Sequence, residues 1–321
     1  MKMFLGLPVL AAALLGAGAT AAQTYPARPL RIIVGFAPGG PTDVIARIVA
    51  QKLSESLGQQ VVVDNRAGAG GNIGIGMVAN ATPDGYTILV VSSALVLNPG
   101  LYAKIPYDPE KSFSPISNMA ASPNVFIAHP SVPVKSMQEL FKLAQDAPKK
   151  YSFATPGVGT TPDLSAVIFK LATKADVATV PYNGAGPAVA AVIANQVPLG
   201  CMAMPPATPH IQSGRLRALA VTTGKRSPVL PEVPTMEESG FPGQESDTLQ
   251  GMLVPAGTPA AVVRRLHADV VKVLAQPDTR ERISALGFDI IASSPQEFAA
   301  QIKTEVAKWT KVVKEAGIKV E

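Results

Sequence analysis

The sequence predicts an α/β protein of two lobes, each a mostly parallel sheet flanked by helices, with a ligand cleft between them. Three observations predict it. Short Val/Ile/Leu runs alternate with stretches of helical periodicity, the pattern of parallel sheets covered on both faces. The 30 prolines and 27 glycines fall at turns between these runs, with no low-complexity tract, internal repeat or long linker. A chain of 321 residues usually divides into two units, and 124–128 and 249–254 read as the crossings between them.

Taken in chain order, residues 1–22 stand outside the fold. Lys2, an apolar stretch from Phe4 to Leu15, and small residues at Ala19-Thr-Ala21 or Thr20-Ala-Ala22 have the make-up of a cleaved signal peptide, too short for a membrane span. No cysteine lies near the cleavage point to carry a lipid, so the mature chain is expected to be exported and soluble. Lobe 1 is assigned to 23–125 and 250–321, lobe 2 to 126–249. Strands are predicted at 30–35, 60–64, 87–92, 124–129, 151–154, 177–180, 197–201, 216–222 and 249–254. Helices are predicted at 42–57, 72–80, 136–145, 162–173, 185–195, 259–275, 278–286 and 295–316. The first helix places Val44, Ile45, Ile48, Val49 and Leu53 on one face. The last does the same with Phe298, Ile302, Val306, Trp309, Val312 and Val313, which makes Trp309 a core anchor.

Ligand sites in such sheets lie beyond the carboxyl ends of strands, and this selects three loops. The first, Phe36 to Asp43, follows an apolar strand in the layout of a phosphate-binding loop, except that Pro41 stands where the lysine would be. Without that cation the loop suits an anion smaller than a nucleotide. Its glycines admit close approach, and first-turn N–H groups point at a carboxylate. The second loop, Ser92-Ser-Ala94, offers a serine hydroxyl. The third, Thr155 to Pro162, repeats the chemistry of the first: two glycines, Thr160 and Thr161 as caps, and Pro162 at a first helical position. In opposite lobes, the first and third loops would face each other across the cleft, each charge-assisted bond to a shared carboxylate contributing roughly 1.5–3 kcal/mol.

The candidate ligand residues are therefore Phe36, Ala37, Pro38, Gly39, Gly40, Pro41, Thr42 and Asp43; Ser92, Ser93 and Ala94; Thr155, Pro156, Gly157, Gly159, Thr160 and Thr161. Tyr182, Asn183 and Gly184 follow a further strand and are placed to close the far end of the cleft. Asp43 either caps its helix, orients a bound water, or supplies favourable charge to a first turn. Arg66 reads as a carboxylate clamp or as a brace for the glycine run that follows it.

These loops, with Tyr25-Pro-Ala-Arg-Pro29, Asp64-Asn-Arg-Ala-Gly-Ala-Gly-Gly-Asn72, Pro83-Asp-Gly-Tyr86, Pro181-Tyr-Asn-Gly-Ala-Gly-Pro187, Leu216-Arg-Ala-Leu-Ala-Val221, Val233-Pro-Thr235 and Pro255-Ala-Gly-Thr-Pro259, resemble the substrate-binding receptors of tripartite tricarboxylate transporters, the Bug family. The resemblance covers the whole mature chain. It implies a periplasmic receptor with the two-lobed type II periplasmic binding protein fold. It also implies capture of a small carboxylate by hinged closure, and delivery to a two-subunit membrane permease. In such receptors the first and third loops grip the ligand carboxylate, largely through backbone amides and ordered water. The chain departs from the family pattern at Asp163, where a histidine is frequent, at Met202, where an aspartate often meets a ligand ammonium, and at Leu249 and Gln250, which replace an aromatic pair. A pocket lined by Met202 and Met204 would disfavour an ammonium ion, so an aromatic or aliphatic carboxylate is expected rather than an amino acid.

Other functions find little support. With 28 Lys+Arg against 23 Asp+Glu the net charge is +5, or +4 once Lys2 is lost, scattered and without aromatic interleaving, which argues against nucleic-acid binding. Cys201 is the sole cysteine, so no intramolecular disulfide forms, and it sits in an apolar strand where it makes a weak nucleophile. Gly74-Ile-Gly-Met-Val-Ala79 matches a dinucleotide fingerprint but lies within a helix, where it reads as packing. His129, His210 and His267 are far apart in sequence and join no carboxylate cluster, so no metal and no cofactor is expected. The rival readings are a secreted α/β enzyme with Asp43 or Asp163 as general base, and a sensory receptor that presents its closed form to a signalling partner. A monomer is expected.

Overall fold

The computed structural model describes residues 25–315, 317 and 318; the expected signal peptide lies outside them. In chain order the elements are β1 (Leu30–Val34), α1 (Pro41–Leu57), β2 (Val61–Asn65), a short 3-10 turn (Ala69–Gly71), α2 (Asn72–Ala79), β3 (Thr87–Val91) and α3 (Ala94–Leu101). There follow β4 (Phe113–Ala128), α4 (Met137–Asp146), β5 (Ser152–Thr155), α5 (Thr161–Thr173), β6 (Ala178–Pro181), α6 (Ala185–Ile193), β7 (Leu199–Ala203), α7 (Met204–Gln212) and β8 (Arg217–Val221). The chain closes with β9 (Asp247–Pro255), α8 (Ala260–Ala275), α9 (Pro277–Ala285), β10 (Asp289–Ile290) and α10 (Pro295–Glu315).

Strand pairing runs β2-β1-β3-β9-β4-β7-β5-β6, with β8 and β10 also on β4. β4 carries the chain from one lobe to the other. Its residues up to Pro123 pair with β9, while Asn124 to Ala128 pair with β7. In each lobe three strands are parallel, β2-β1-β3 and β7-β5-β6; β9 pairs antiparallel with β3, β4 antiparallel with β7, and β4 and β9 antiparallel with each other. The sheets are therefore mixed at the crossing and parallel beyond it. The outer strands can be parallel because a helix returns the chain after each one.

Alternation along β1 divides the first lobe's core. Ile32 and Val34 face Ile45, Val49 and Leu53 of α1 and Leu266, Val270 and Val273 of α8, all buried. Ile33 faces the other way, with Leu89, Leu95 and the α10 side chains Phe298, Ile302, Trp309 and Val313. Trp309 is thus a core anchor, its indole N–H donating to Glu305 at 2.6 Å. In the second lobe Phe126, Phe153 and Phe169 meet with ring centroids 5.5–6.2 Å apart. Truncating such a ring to alanine costs about 3–5 kcal/mol.

Four elements depart from expectation, among them the short β10, for which no strand was predicted. β4 begins at Phe113, well before the predicted 124, because Ser117, Asn118, Ser122 and Pro123 interrupt its apolar run although the three polar residues are wholly buried. α3 and α7 lie where no helix was predicted, their patterns masked by Pro99 and by Pro205, Pro206 and Pro209. The dinucleotide-like glycines pack α2 closely: a Cβ on Gly74 would lie 2.8 Å from the Gly35 backbone, and one on Gly76 2.6 Å from Pro106.

Candidate ligand-binding cleft

The loop after β1 is held by an ionic brace between a buried carboxylate and a half-exposed arginine. Gly39 adopts φ +86°, and Gly40 caps α1 without a side chain. Asp43, in the first turn, reaches back so that Oδ2 accepts the Gly39 N–H at 3.0 Å. Arg47 donates to both carboxylate oxygens at 3.0 Å, and the Asn65 amide donates to Oδ1 and to the Phe36 carbonyl at 2.9 Å each. Burial pushes the Asp43 carboxyl up, but the bonds from Arg47, Gly39 and Asn65 together hold it below the usual carboxylate range. A carboxylate so engaged fixes the loop and makes a poor general base.

The loop after β5 is built the same way. Gly159, at φ +77°, donates its N–H to Asp163 Oδ2 at 3.0 Å, and the Thr155 hydroxyl donates to Oδ1 at 2.8 Å. Thr160 is the α5 cap residue, but its hydroxyl donates to the Gly157 carbonyl at 2.9 Å and does not cap the helix. That corrects the expected cap: Asp163 instead holds the preceding Gly159, and no side chain caps the α5 first turn.

Between the two loops lies a narrow cavity of about 30 Å³ that opens to solvent. Phe36, Gly40, Pro41, Thr42 and Asp43 form one wall; Pro156, Thr160, Thr161, Pro162 and Ala185 form the other; Ser92, Ser93, Ala203 and Thr248 complete it. Two helix N-termini from opposite lobes therefore open onto one space, with first-turn N–H groups that have no acceptor within their own helix. The serines add to this. Ser92 Oγ accepts the Ala94 N–H at 3.3 Å and Ser93 Oγ accepts the Leu249 N–H at 3.0 Å, so each retains its O–H to donate. Thr161 is different. The Thr248 hydroxyl donates to Asn124 Oδ1 at 2.9 Å, so in the close Thr161–Thr248 contact it is Thr161 that donates. Asn124 then donates to Ser246 at 3.0 Å, and Ser246 bonds Ser165 at 2.8 Å. This chain of polar groups ties α5 to both crossing strands.

The lobes touch beside the cavity backbone to backbone. A Cβ on Gly186 would lie 2.7 Å from the Pro38 carbonyl oxygen, and one on Gly184 3.3 Å from Ala37 N. Next to it lies a second, larger space of about 250 Å³, lined by Phe36, the 67–71 glycine run, Tyr102, Pro156, Gly157, Val158, Pro181, Tyr182 and Asn183. Phe36 and Pro156 line both spaces. Gly70 and Gly71 leave room for rings: a Cβ on them would meet Tyr102 at 2.5 Å and Phe36 at 3.2 Å.

Several predicted residues stand elsewhere. Ala37, Pro38, Gly39, Ala94, Thr155, Gly159 and Gly184 frame the cavity without lining it, and the amides of Gly39 and Gly159 are already taken by aspartates. Met202 and Met204 are wholly buried among Val125, Ile127, Val189 and Val192, which removes them from the pocket wall. On β7 the alternation turns Met202 into the core, and its neighbour Ala203 reaches the cavity. Arg66 binds Asp64 at 3.1 Å, lines neither space, and braces its loop. Sequence reasoning passed over Pro162, Ala185, Ala203 and Thr248 as wall residues. Extending each loop into the first turn of its helix would have found the first two; Ala203 gave no signal. Among the described residues no three His, Cys, Asp or Glu side chains gather to hold a metal.

A two-lobed sheet protein with its cavity at the crossing is the architecture of a hinged solute-binding protein. The chain belongs to the family described as the tripartite tricarboxylate transporter family receptor, whose profile matches residues 45–318. It is similar to Protein BugT of Bordetella pertussis (strain Tohama I), 37% identical over 306 residues that cover 95% of this chain and 94% of that protein. Among solved structures it is similar to the periplasmic binding protein BugD, with TM-score 0.89 and 38% identity over 92% of this chain and all of that one. It is similar too to R. palustris Rpa4515 with adipate, with TM-score 0.89 and 34% identity over the same shares.

Proposed function

We propose that this chain is an exported periplasmic receptor that captures a small carboxylate by closure of its two lobes. It would then hand that solute to the two-subunit permease of a tripartite tricarboxylate-type transporter. The observation that carries the reading is the convergence of two helix N-termini from opposite lobes, with the Thr42, Ser92 and Ser93 hydroxyls, on one cavity whose lining holds no cationic side chain. A single carboxylate there would be held by neutral donors and helix ends, as small anions are. Two or three such bonds with an apolar wall reach about −8 kcal/mol, micromolar binding. The ligand body would pass Phe36 and Pro156 into the outer space among Tyr102, Tyr182 and Asn183. An ammonium group would find no free carboxylate in the inner wall, since Asp43 is already bound by Arg47, Asn65 and Gly39. That replaces the argument from Met202 and still favours aromatic or aliphatic carboxylates over amino acids.

The reading is of binding without turnover, since Asp43 is held ionised as a structural brace. The test is thermal denaturation of mature, ligand-stripped protein with citrate, C4–C6 dicarboxylates, nicotinate and benzoates, with acidic amino acids and nucleotides as controls. A ligand at 100 times its dissociation constant stabilises by about 2.7 kcal/mol. A shift with a non-amino carboxylate, recovered unchanged, is expected. A shift with nucleotides alone, or a chemically altered ligand, would overturn the reading.

A further inference from the structure

Asp43 and Asp163 occupy equivalent places at the starts of α1 and α5. Each stands four residues after a glycine of positive φ, accepts that glycine's N–H on Oδ2 at 3.0 Å, and is 3% exposed. They differ in what opposes their charge. Asp43 is met by the Arg47 guanidinium and the Asn65 amide. Asp163 has the Thr155 hydroxyl and the Gly159 N–H, and among the described residues no Lys, Arg or His forms an ion pair with it. The strands packed on α5 are β4, β5, β6, β7 and β9. They carry two ionisable groups, the Cys201 thiol on β7 and Asp247 at the start of β9, and no cation. Cys201 is fully buried and its thiol is pushed up by burial, so it is neutral and lends no positive charge.

We infer that Asp163 is the proton-binding residue of the ligand site: capture of a carboxylate anion next to the α5 N-terminus draws one solvent proton onto Asp163, so the receptor takes up anion and proton together. The inference rests on the carboxylate-receptor reading above. Its basis is local chemistry. Asp163 does not itself line the cavity but lies directly after Thr160, Thr161 and Pro162, which do, and it is almost wholly buried, so a bound carboxylate would place a second negative charge near a poorly solvated carboxyl. The proton has a ready place. Thr155 Oγ1 now donates to Oδ1, and a hydroxyl can equally accept, so protonated Oδ1 donates to Thr155 across the same 2.8 Å without moving either group. Burial already raises the Asp163 carboxyl, offset only in part by Gly159 and Thr155, whereas Asp43 is held low.

The sign follows from linkage. A group whose pKa rises on binding takes up protons, so affinity strengthens as pH falls, by up to about tenfold per pH unit while the ligand remains ionised. Isothermal calorimetry of the mature protein tests this, with the panel carboxylate that gives the largest thermal shift as probe. Titrations run at pH 6 to 8 in phosphate and in Tris, whose heats of ionisation differ. Net proton uptake and weakening affinity with rising pH are expected. Asp163→Asn should remove both: its Oδ1 still accepts from Gly159 and its amide donates to Thr155, so size and bonding are kept. Binding by the wild type with no proton uptake overturns the inference and leaves the receptor reading standing, whether or not the variant folds. Uptake that persists in a folded Asp163→Asn overturns it as well. No binding by any carboxylate of the panel overturns the receptor reading itself, and this inference with it.

Discussion

At the scale of single residues, Asp43 and Asp163, which a sequence reading weighed as general bases of a rival enzyme, brace the two loops that flank the cavity. Asp43 carries a direct test. Asp43→Ala leaves Asn65 and the Gly39 N–H without their acceptor and the half-exposed Arg47 without its ion pair, so unfolding in urea should show a loss of about 1–2 kcal/mol at pH 7. Because the folded-state carboxyl is held low, its stabilisation is present above the unfolded value near 4 and vanishes as pH falls through the folded value. The stability difference between wild type and Asp43→Asn should therefore close as pH drops below about 4. Met202 makes the opposite point. Sequence placed it in the pocket, and an aspartate there would have been expected to admit amino acids. Since its side chain lies in the core, Met202→Asp should cost more than about 3 kcal/mol in a denaturant melt and confer no amino-acid binding. Strand alternation could have separated Met202 from Ala203, but only once the register of β7 was known.

At the scale of elements, loops and helix starts were the legible parts. Gly/Pro/Thr chemistry marks the two opposed helix N-termini regardless of tertiary context, and β1, α1, α5 and α10 followed from hydrophobic periodicity. What stayed hidden were elements whose local signal is contradicted by burial. The buried serines and asparagines of β4 look like a loop until their partners far along the chain in the same lobe are known, such as Ser293 for Ser117 and Gln301 for Asn118. The α6 start offers a sharp test of lobe closure. Gly186→Ala places a methyl 2.7 Å from the Pro38 carbonyl across the cleft, a clash the protein can relieve by holding its lobes apart. Ligand affinity measured by calorimetry should fall at least tenfold, while the melting temperature without ligand stays within about 2 °C. A large drop in that melting temperature would mean the contact holds the fold rather than the closed state.

At the scale of the whole molecule, the two cavity walls come from different lobes, so occupancy and lobe position are linked. Small-angle scattering should show a smaller radius of gyration with saturating ligand than without it, and the Gly186→Ala protein should not contract. The polar chain Thr161–Thr248–Asn124–Ser246–Ser165 spans the crossing and would have to part or pivot in that motion. The continuity of β4 has another consequence. One strand supplies a member to each sheet, with Pro123 the last residue on one side and Asn124 the first on the other. Two hinged lobes would ordinarily melt as separate units. Here, heating that frays either sheet strips the other of a central strand. Scanning calorimetry should therefore record one cooperative transition, with calorimetric and van't Hoff enthalpies in agreement: a body that moves in two parts and unfolds as one.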